Sequence, residues 1–259
     1  MKDYKAVIFD WAGTTVDYGC FAPVQAFVEV FKHFGIEPTM EEVREPMGML
    51  KRDHIRTMLE MPRLREQWES LQGSVPDQDA VEKIYGVFEA SLLESLEMYA
   101  SPKPGVLKAV KELRDKGIAI GSTTGYTDKM MAIVVPKAAE QGYAPDYWVS
   151  PDSADGMGRP YPYMIFNNMA HFQIPSVENV VKVGDTVADI QEGKAAGVRS
   201  LGVLEGSSVM GYTFEEYEAL SAEEKETAKE KARKIFLDAG ADAVIDSLEQ
   251  LPGWIEENE

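Results

Sequence analysis

A single cysteine, Cys20, stands among 259 residues. One thiol excludes an internal disulfide framework and a zinc site of clustered cysteines. Histidine is scarce too: His33, His54 and His171 are too scattered for the usual His-rich metal motifs. Positive charge is in short supply, with 26 Lys and Arg against 44 Asp and Glu and a formal net charge of −18. That balance argues against nucleic acid and anionic membrane as partners. No apolar run approaches the ~18 residues of a membrane span, and the N-terminal MKDYKAVIFD lacks a signal-peptide pattern. What is present is 44% apolar and 27% charged residues, a composition that can bury a core. The expectation is a soluble, acidic, cytoplasmic protein, built as one enzyme-sized unit or as a core with a smaller domain.

Residues 5–10 (KAVIFD) form a short apolar run ahead of the turn-prone WAGTT, which reads as a buried strand delivering Asp10 to a loop. Similar runs recur at 118–122, 147–150, 180–185 (VVKVGD), 198–204 and 241–246. Helical patterns separate them. One covers 105–117 and ends in a capping Gly; in another, 128–141, Met130, Met131, Val134, Val135 and Ala138 share a stripe. Strands alternating with amphipathic helices predict an α/β fold, a doubly wound parallel (Rossmann-like) sheet with its site at the carboxyl ends of the strands.

Residues 20–99 break that alternation. Val24, Phe27, Val28, Phe31 and Phe34 keep helical spacing and Gly35 closes the segment. Thr39 and Glu42 make a capping-box pattern, Pro46 interrupts the helix it starts, and 48–60 reads as a third helix. Val81, Ile84, Tyr85, Phe88 and Leu92 mark another. This strand-free stretch reads as an all-helical cap domain inserted into a core of 1–19 and 100–259, with hinges near 17–21 and 99–105. Residues 215–233 read as a highly charged, solvated helix.

Asp10 and Asp185 end two distant strands, and Asp189 follows one helical turn later. Carboxylates converging in this way suit a hard cation such as Mg2+, although each Asp alone could be a helix cap or turn residue. Thr124 closes IAIGSTT, where a hydroxyl beside backbone N–H groups suits a phosphate oxygen; an ordinary Ser/Thr/Gly turn reads the same way. Arg159 precedes Pro160 and suits an anion site. Lys51, in PMGMLKRDH, is flanked by Met47 and Met49 as an apolar wall and by Arg52 as a like charge, both favouring the neutral amine that attacks carbonyls. A lysine on a cap helix is otherwise a solvent-exposed residue. His54, three residues on, would share its helix face. Cys20 reads equally as a small buried hydrophobe, and Trp11 and Tyr126 as packing residues.

Four signals, FDWAGTTVD, STTGY, GRPYP and VGDTVAD, occur in an order that resembles the four motifs of the haloacid dehalogenase superfamily. The resemblance implies Asp10 as nucleophile, Thr124 and Arg159 as phosphate-binding residues together with backbone around Gly13, and Asp185 and Asp189 at a Mg2+ site completed by the Ala12 carbonyl. Most phosphatases of that superfamily carry a second Asp two residues after the nucleophile as general acid and base; Ala12 stands there instead. With no acid for an alcohol leaving group, an ordinary phosphatase or phosphomutase is disfavoured. DWAGTTVDYGCFAP together with PMGMLKRDH resembles the phosphonatase family within the superfamily. That resemblance implies cleavage of the P–C bond of phosphonoacetaldehyde in phosphonate catabolism, a Schiff base on Lys51, supporting roles for Met47, His54, Cys20 and Tyr126, and a homodimer joined through the caps. The stripe at 24–34 serves equally as dimer surface or cap interior. Other capped phosphatases, a non-catalytic phospho-ligand binder and a Schiff-base lyase without phosphoryl transfer are the competing readings.

Overall fold

The computed structural model of the chain describes residues 3–258. Its strands are β1 (Ala6–Phe9), β2 (Ala119–Thr123), β3 (Tyr147–Val149), β4 (Val180–Gly184), β5 (Arg199–Val203) and β6 (Ala243–Ile245). All five pairings are parallel, in the order β3-β2-β1-β4-β5-β6. The central strands are buried on both faces, which is why β1 and β4 read as apolar runs rather than alternating patterns. Register aligns Phe9 with Ser122 on one side and Val183 on the other. The residues just beyond, Asp10, Thr123–Thr124 and Asp185, therefore leave the sheet side by side where the strand order reverses.

Between β1 and the helix that leads into β2 lie only helices: α1 (Phe21–His33), α2 (Met40–Arg44), α3 (Lys51–Glu60), α4 (Pro62–Gln72) and α5 (Gln78–Ser95), then a short 3-10 turn. Thr39 and Glu42 form the expected capping box, and α2 stops before Pro46. The third helix starts later than its sequence pattern: Gly48 has φ +88 and Leu50 is the N-cap, so Lys51 is the first helical residue. The sequence pattern missed α4, whose buried signal is confined to Leu64 and Trp68, between Pro62 at its start and left-handed Gly73 at its end. Val24, Phe27 and Phe31 are fully buried, and Phe27 stacks on Phe88 of α5 with ring centroids 4.2 Å apart. The aromatic stripe is thus cap interior and not a surface for a second copy.

The sheet is flanked by α6 (Val106–Asp115), α7 (Asp128–Glu140), α8 (Tyr163–His171), α9 (Val187–Ala196), α10 (Phe214–Ala219), α11 (Ala222–Asp238) and α12 (Leu251–Asn258). The charged stretch 215–233 is two helices rather than one. Ser221 restarts the chain with a new capping box, its side chain accepting from the Glu224 N–H while the Glu224 carboxylate accepts from the Ser221 N–H at 2.8 Å. Nor is α11 fully solvated, since Ala232 and Phe236 are buried. Among the described residues no helix is long and apolar enough to cross a membrane.

Candidate active site

The loop after β1 is shaped by close approach to Asp185. Gly13 has φ +88, and a Cβ there would fall 2.1 Å from Asp185 Oδ2. Its own N–H donates to the Val16 carbonyl at 2.8 Å, so Gly13 brings the loop backbone close to the acid. Thr14 donates its hydroxyl to Asp185 Oδ1 at 2.9 Å, and the Ser208 N–H donates to Oδ2 at 2.8 Å. Trp11 packs: its indole N–H reaches Ser122 Oγ at 2.8 Å and its ring meets Tyr143 edge-on.

Asp10, Asp185 and Asp189 are all buried, with one carboxylate oxygen of each within 4.8 Å of the others. Burial pushes the Asp185 carboxyl well up and Asp10 and Asp189 push it further; burial also raises Asp10 against the pull of Arg159. Three oxygen donors whose like charges repel in a dry site fit a divalent, oxygen-seeking ion such as Mg2+. Asp189 stands apart in this trio. Burial opposes its ionisation, but Arg159 and Lys182 hold its carboxyl below the usual range. Its Oδ1 lies 3.0 Å from both cations and its Oδ2 accepts from the Thr186 hydroxyl at 2.6 Å.

Arg159 Nη2 donates to Asp10 Oδ1 at 2.6 Å and to Thr123 Oγ1 at 3.0 Å, while Nε donates to Glu192 Oε2 at 3.0 Å. Thr124 lines the cavity beside Asp10, and its hydroxyl oxygen accepts from the Tyr126 N–H at 3.0 Å. Three members of this cluster, Thr123, Lys182 and Glu192, escaped the sequence reading. The available signal was a charged residue in the middle of VVKVG: Lys182 is fully buried, bonded to Thr123 Oγ1 at 2.8 Å and paired with Asp189 and Glu192. Removing one partner of a buried ion cluster leaves uncompensated charge, so Lys182→Met is expected to cost about 3–5 kcal/mol in urea unfolding of the metal-free protein.

Lys51 is buried, at 5% exposure, contrary to the ordinary expectation for a cap-helix lysine. Its ammonium sits over the Tyr126 ring at 5.1 Å and the Phe27 ring at 5.8 Å. Burial pushes the amine down, Cys20 and Asp10 oppose, and Arg159 adds to the depression. Arg52 does not supply the like charge expected of it, for it is bound to Glu82 at 3.0 Å and stacked over Tyr85 at 3.7 Å. His54 is fully buried, stacked on Phe27 at 3.7 Å, and held well below the usual imidazole range by burial and by Lys51. Cys20 caps α1 in a left-handed conformation; burial and the charge of Asp17 push its thiol up, which removes it as a thiolate nucleophile. Asp17 accepts from the Phe21 and Ala22 N–H groups at 2.9 Å, and burial pushes its carboxyl up to about 7. Lys103, from the SPKPG segment, is also buried, bonding the carbonyls of Gly13 and Glu205.

Asp10, Ala12, Cys20, Met47, Lys51, Thr124, Tyr126 and Arg159 line one cavity of about 20 Å³. That is room for about one water. The closure is made by cap backbone against core: a Cβ on Gly48 would fall 2.3 Å from Thr186 Oγ1. Gly13, Asp185, Asp189 and His54 stand outside the lining. The geometry thus joins a carboxylate, a cation bound to it, a carboxylate cluster suited to a divalent ion, and a desolvated amine from the insertion.

The haloacid dehalogenase-like hydrolase family profile matches residues 4–197, and a related profile of the same kind matches 156–251. Phosphonoacetaldehyde hydrolase of Lysinibacillus sphaericus is 50% identical over 248 residues, covering 96% of this chain and 92% of that one. The protein of the same name from Parabacteroides distasonis is 49% identical over 257 residues, covering 99% and 97%. A solved structure of a phosphonoacetaldehyde hydrolase-like protein from Oleispira antarctica superposes with TM-score 0.94 at 36% identity, covering 98% of this chain and 92% of the other. The chain belongs to the phosphonoacetaldehyde hydrolase family of the haloacid dehalogenase-like hydrolases.

Proposed function

We propose that the chain hydrolyses the P–C bond of phosphonoacetaldehyde to acetaldehyde and phosphate, through a Schiff base on Lys51 and a phosphoryl intermediate on Asp10. The observation that carries this reading is that Lys51, from an insertion helix, and Asp10, from the end of β1, line one cavity. The names of the relatives point to the same substrate.

Direct P–C cleavage would leave a carbanion. Burial favours the neutral Lys51 amine, which adds to the aldehyde and loses water to give an iminium. The Asp10 carboxylate then attacks phosphorus while the P–C electron pair flows into the iminium, so carbon departs as a neutral enamine. Arg159, already bound to Asp10 Oδ1, and the Thr124 hydroxyl are placed to take phosphoryl oxygens. Mg2+ held by Asp10, the Ala12 carbonyl and Asp185, with Asp189 behind them, would neutralise charge on those oxygens. Water hydrolyses the acyl phosphate and returns Asp10; the enamine gains a proton, and hydrolysis of the imine releases acetaldehyde and Lys51. The resemblance assigns His54, one turn along α3, an assisting role in proton transfer, although it is fully buried, stands outside the cavity lining and is held well below the usual imidazole range, which weakens it as a base. No alcohol leaves, so no acid is needed at Ala12. Core 1–19 and 100–259 and cap 20–99 would part for substrate entry about 17–21 and 99–105, because the closed cavity admits no more than a water. We place the enzyme in the cytoplasm as a cap-joined homodimer, for which the large apolar cap side chains still exposed are Met40, Leu71, Val75, Val87 and Met98.

The test is borohydride reduction with phosphonoacetaldehyde and Mg2+, followed by peptide mass mapping. A substrate-dependent adduct on Lys51 with loss of activity is expected. Unmodified Lys51 in protein that still releases phosphate would replace the imine route with plain hydrolysis. Ala12→Asp, restoring the acid of the ordinary phosphatases, is expected to bring no gain in phosphate release from phosphonoacetaldehyde; a rise in kcat would overturn the account of why alanine stands there.

A further inference from the structure

We propose that Arg44, the last residue of α2, is a latch that holds the insertion closed over the site and, in the same contact, fixes the position of Asp185. The inference rests on the reading above, in which Lys51 and Asp10 act together only when the two parts meet.

Arg44 Nη1 donates to the Gly19 carbonyl at 2.9 Å, the Ser208 carbonyl at 3.0 Å and Ser208 Oγ at 3.3 Å. Gly19 lies in the first hinge and Ser208 in the core loop after β5, so one side chain bridges three parts of the molecule. Those two core segments are themselves joined, since the Gly19 N–H donates to the Gly206 carbonyl at 2.8 Å. Ser208 is pinned from its other side, where its N–H donates to Asp185 Oδ2. Release of Arg44 would therefore free the loop that supplies one of the two hydrogen bonds orienting the Asp185 carboxylate. The guanidinium also lies 5.1 Å over the Phe21 ring, and Gly211 leaves room for it: a Cβ there would meet Arg44 Nε at 2.9 Å. Asp17, Asp185 and Glu216 supply the facing negative charge. Nη2 is buried without a partner, so opening returns a donor to water and the latch stays releasable.

Arg44 also stands in the wall of a cleft of about 590 Å³ between α2, the 208–211 loop and α11. This cleft shares Met47 and Thr186 with the small cavity around Lys51 and Asp10. The latch thus sits where the closed site meets open space.

Cys20 supplies a readout independent of turnover: it is the sole thiol, it is buried, and it lines the small cavity. In Arg44→Ala, labelling of Cys20 by a thiol reagent should run about 10–100-fold faster than in wild type, the factor set by losing hydrogen bonds from a charged donor. Mg2+ affinity measured by calorimetry should weaken and kcat/KM should fall, and the urea midpoint should drop in step with the labelling, because the same contacts hold the closed fold against unfolding. Arg44→Lys, which can reach one acceptor but not three, should fall between the two. Labelling and Mg2+ affinity both within twofold of wild type in Arg44→Ala would overturn the latch. Should that variant not fold, the same criterion applies to Arg44→Lys. Wild-type protein that releases no phosphate from phosphonoacetaldehyde would overturn the proposed reaction, and the labelling result would still decide the latch.

Discussion

Lys51→Arg is expected to lose phosphate release from phosphonoacetaldehyde by roughly 10³-fold or more in kcat, because a guanidinium keeps the charge but forms no imine at neutral pH. Phosphate and Mg2+ binding should survive, since Asp10, Thr124 and Asp185 follow the ends of β1, β2 and β4 and Arg159 lies in the core loop before α8, none of them in α3. The added bulk enters a cavity of only about 20 Å³. Overpacking could mimic a chemical defect at a cost of about 1–3 kcal/mol, so Lys51→Met serves as a smaller, uncharged companion. Both should be inactive and neither should yield a borohydride adduct. Residual kcat above a tenth of wild type in both would remove the imine from the mechanism. The wild-type pH profile follows from the same group. Its amine is pushed below the ordinary lysine value of 10.5, and the deprotonated form is the reactive one. Lowering the pKa moves the rise of kcat/KM to lower pH, so the plateau on the acid side should begin below 10.5. A rise that continues unbroken through 10.5 would show that Lys51 is not desolvated when substrate arrives.

Asp10→Asn should be the second severe variant, with phosphate release reduced by roughly 10⁴-fold, because the amide is no nucleophile and a poorer ligand for a hard cation. Its diagnostic is what it keeps. Imine formation needs Lys51 and not Asp10, so borohydride should still trap a substrate adduct on Lys51. The metal-free protein should lose little stability, since one of three mutually repelling buried carboxylates is neutralised while Arg159 retains Asp189 and Glu192. Mg2+ that binds the folded state raises the melting temperature of wild type by mass action, and this rise should shrink in Asp10→Asn. An equal Mg2+-induced rise in both proteins would place the ion elsewhere. Phosphate release undiminished in Asp10→Asn would mean that another group, or another protein in the preparation, does the work.

The sheet was legible because a buried parallel strand has one strong signature, a short apolar run between turn residues. Each of the six runs, from KAVIFD to ADAVID, overlaps an observed strand, and only β2 runs past its own, by one residue to Thr123. Helix patterns were legible wherever apolar residues recur on one face, as in α1, α5 and α7. They failed where packing rather than periodicity made the element. In α4 the buried face shrinks to Leu64 and Trp68, and in 215–233 a capping box at Ser221 divides what composition alone joins.

The candidate acids and bases are typed by the chain itself: a carboxylate closing an apolar strand, an alanine where an acid is usual, a lysine between methionines. What the chain could not say is which charges face one another. Arg52 adjoins Lys51 in sequence and turns to Glu82, whereas Arg159, more than a hundred residues away, lies close enough to depress the amine. Lys182, Glu192 and Arg44 carried no motif, because an ion pair or a latch is a property of two surfaces brought together. Local sequence determined the strand ends, the turns and the candidate reactive groups, since those follow from backbone preference and side-chain chemistry. Only the tertiary structure decided burial and partnership, because desolvation and Coulomb energy depend on distances that the order of residues does not contain.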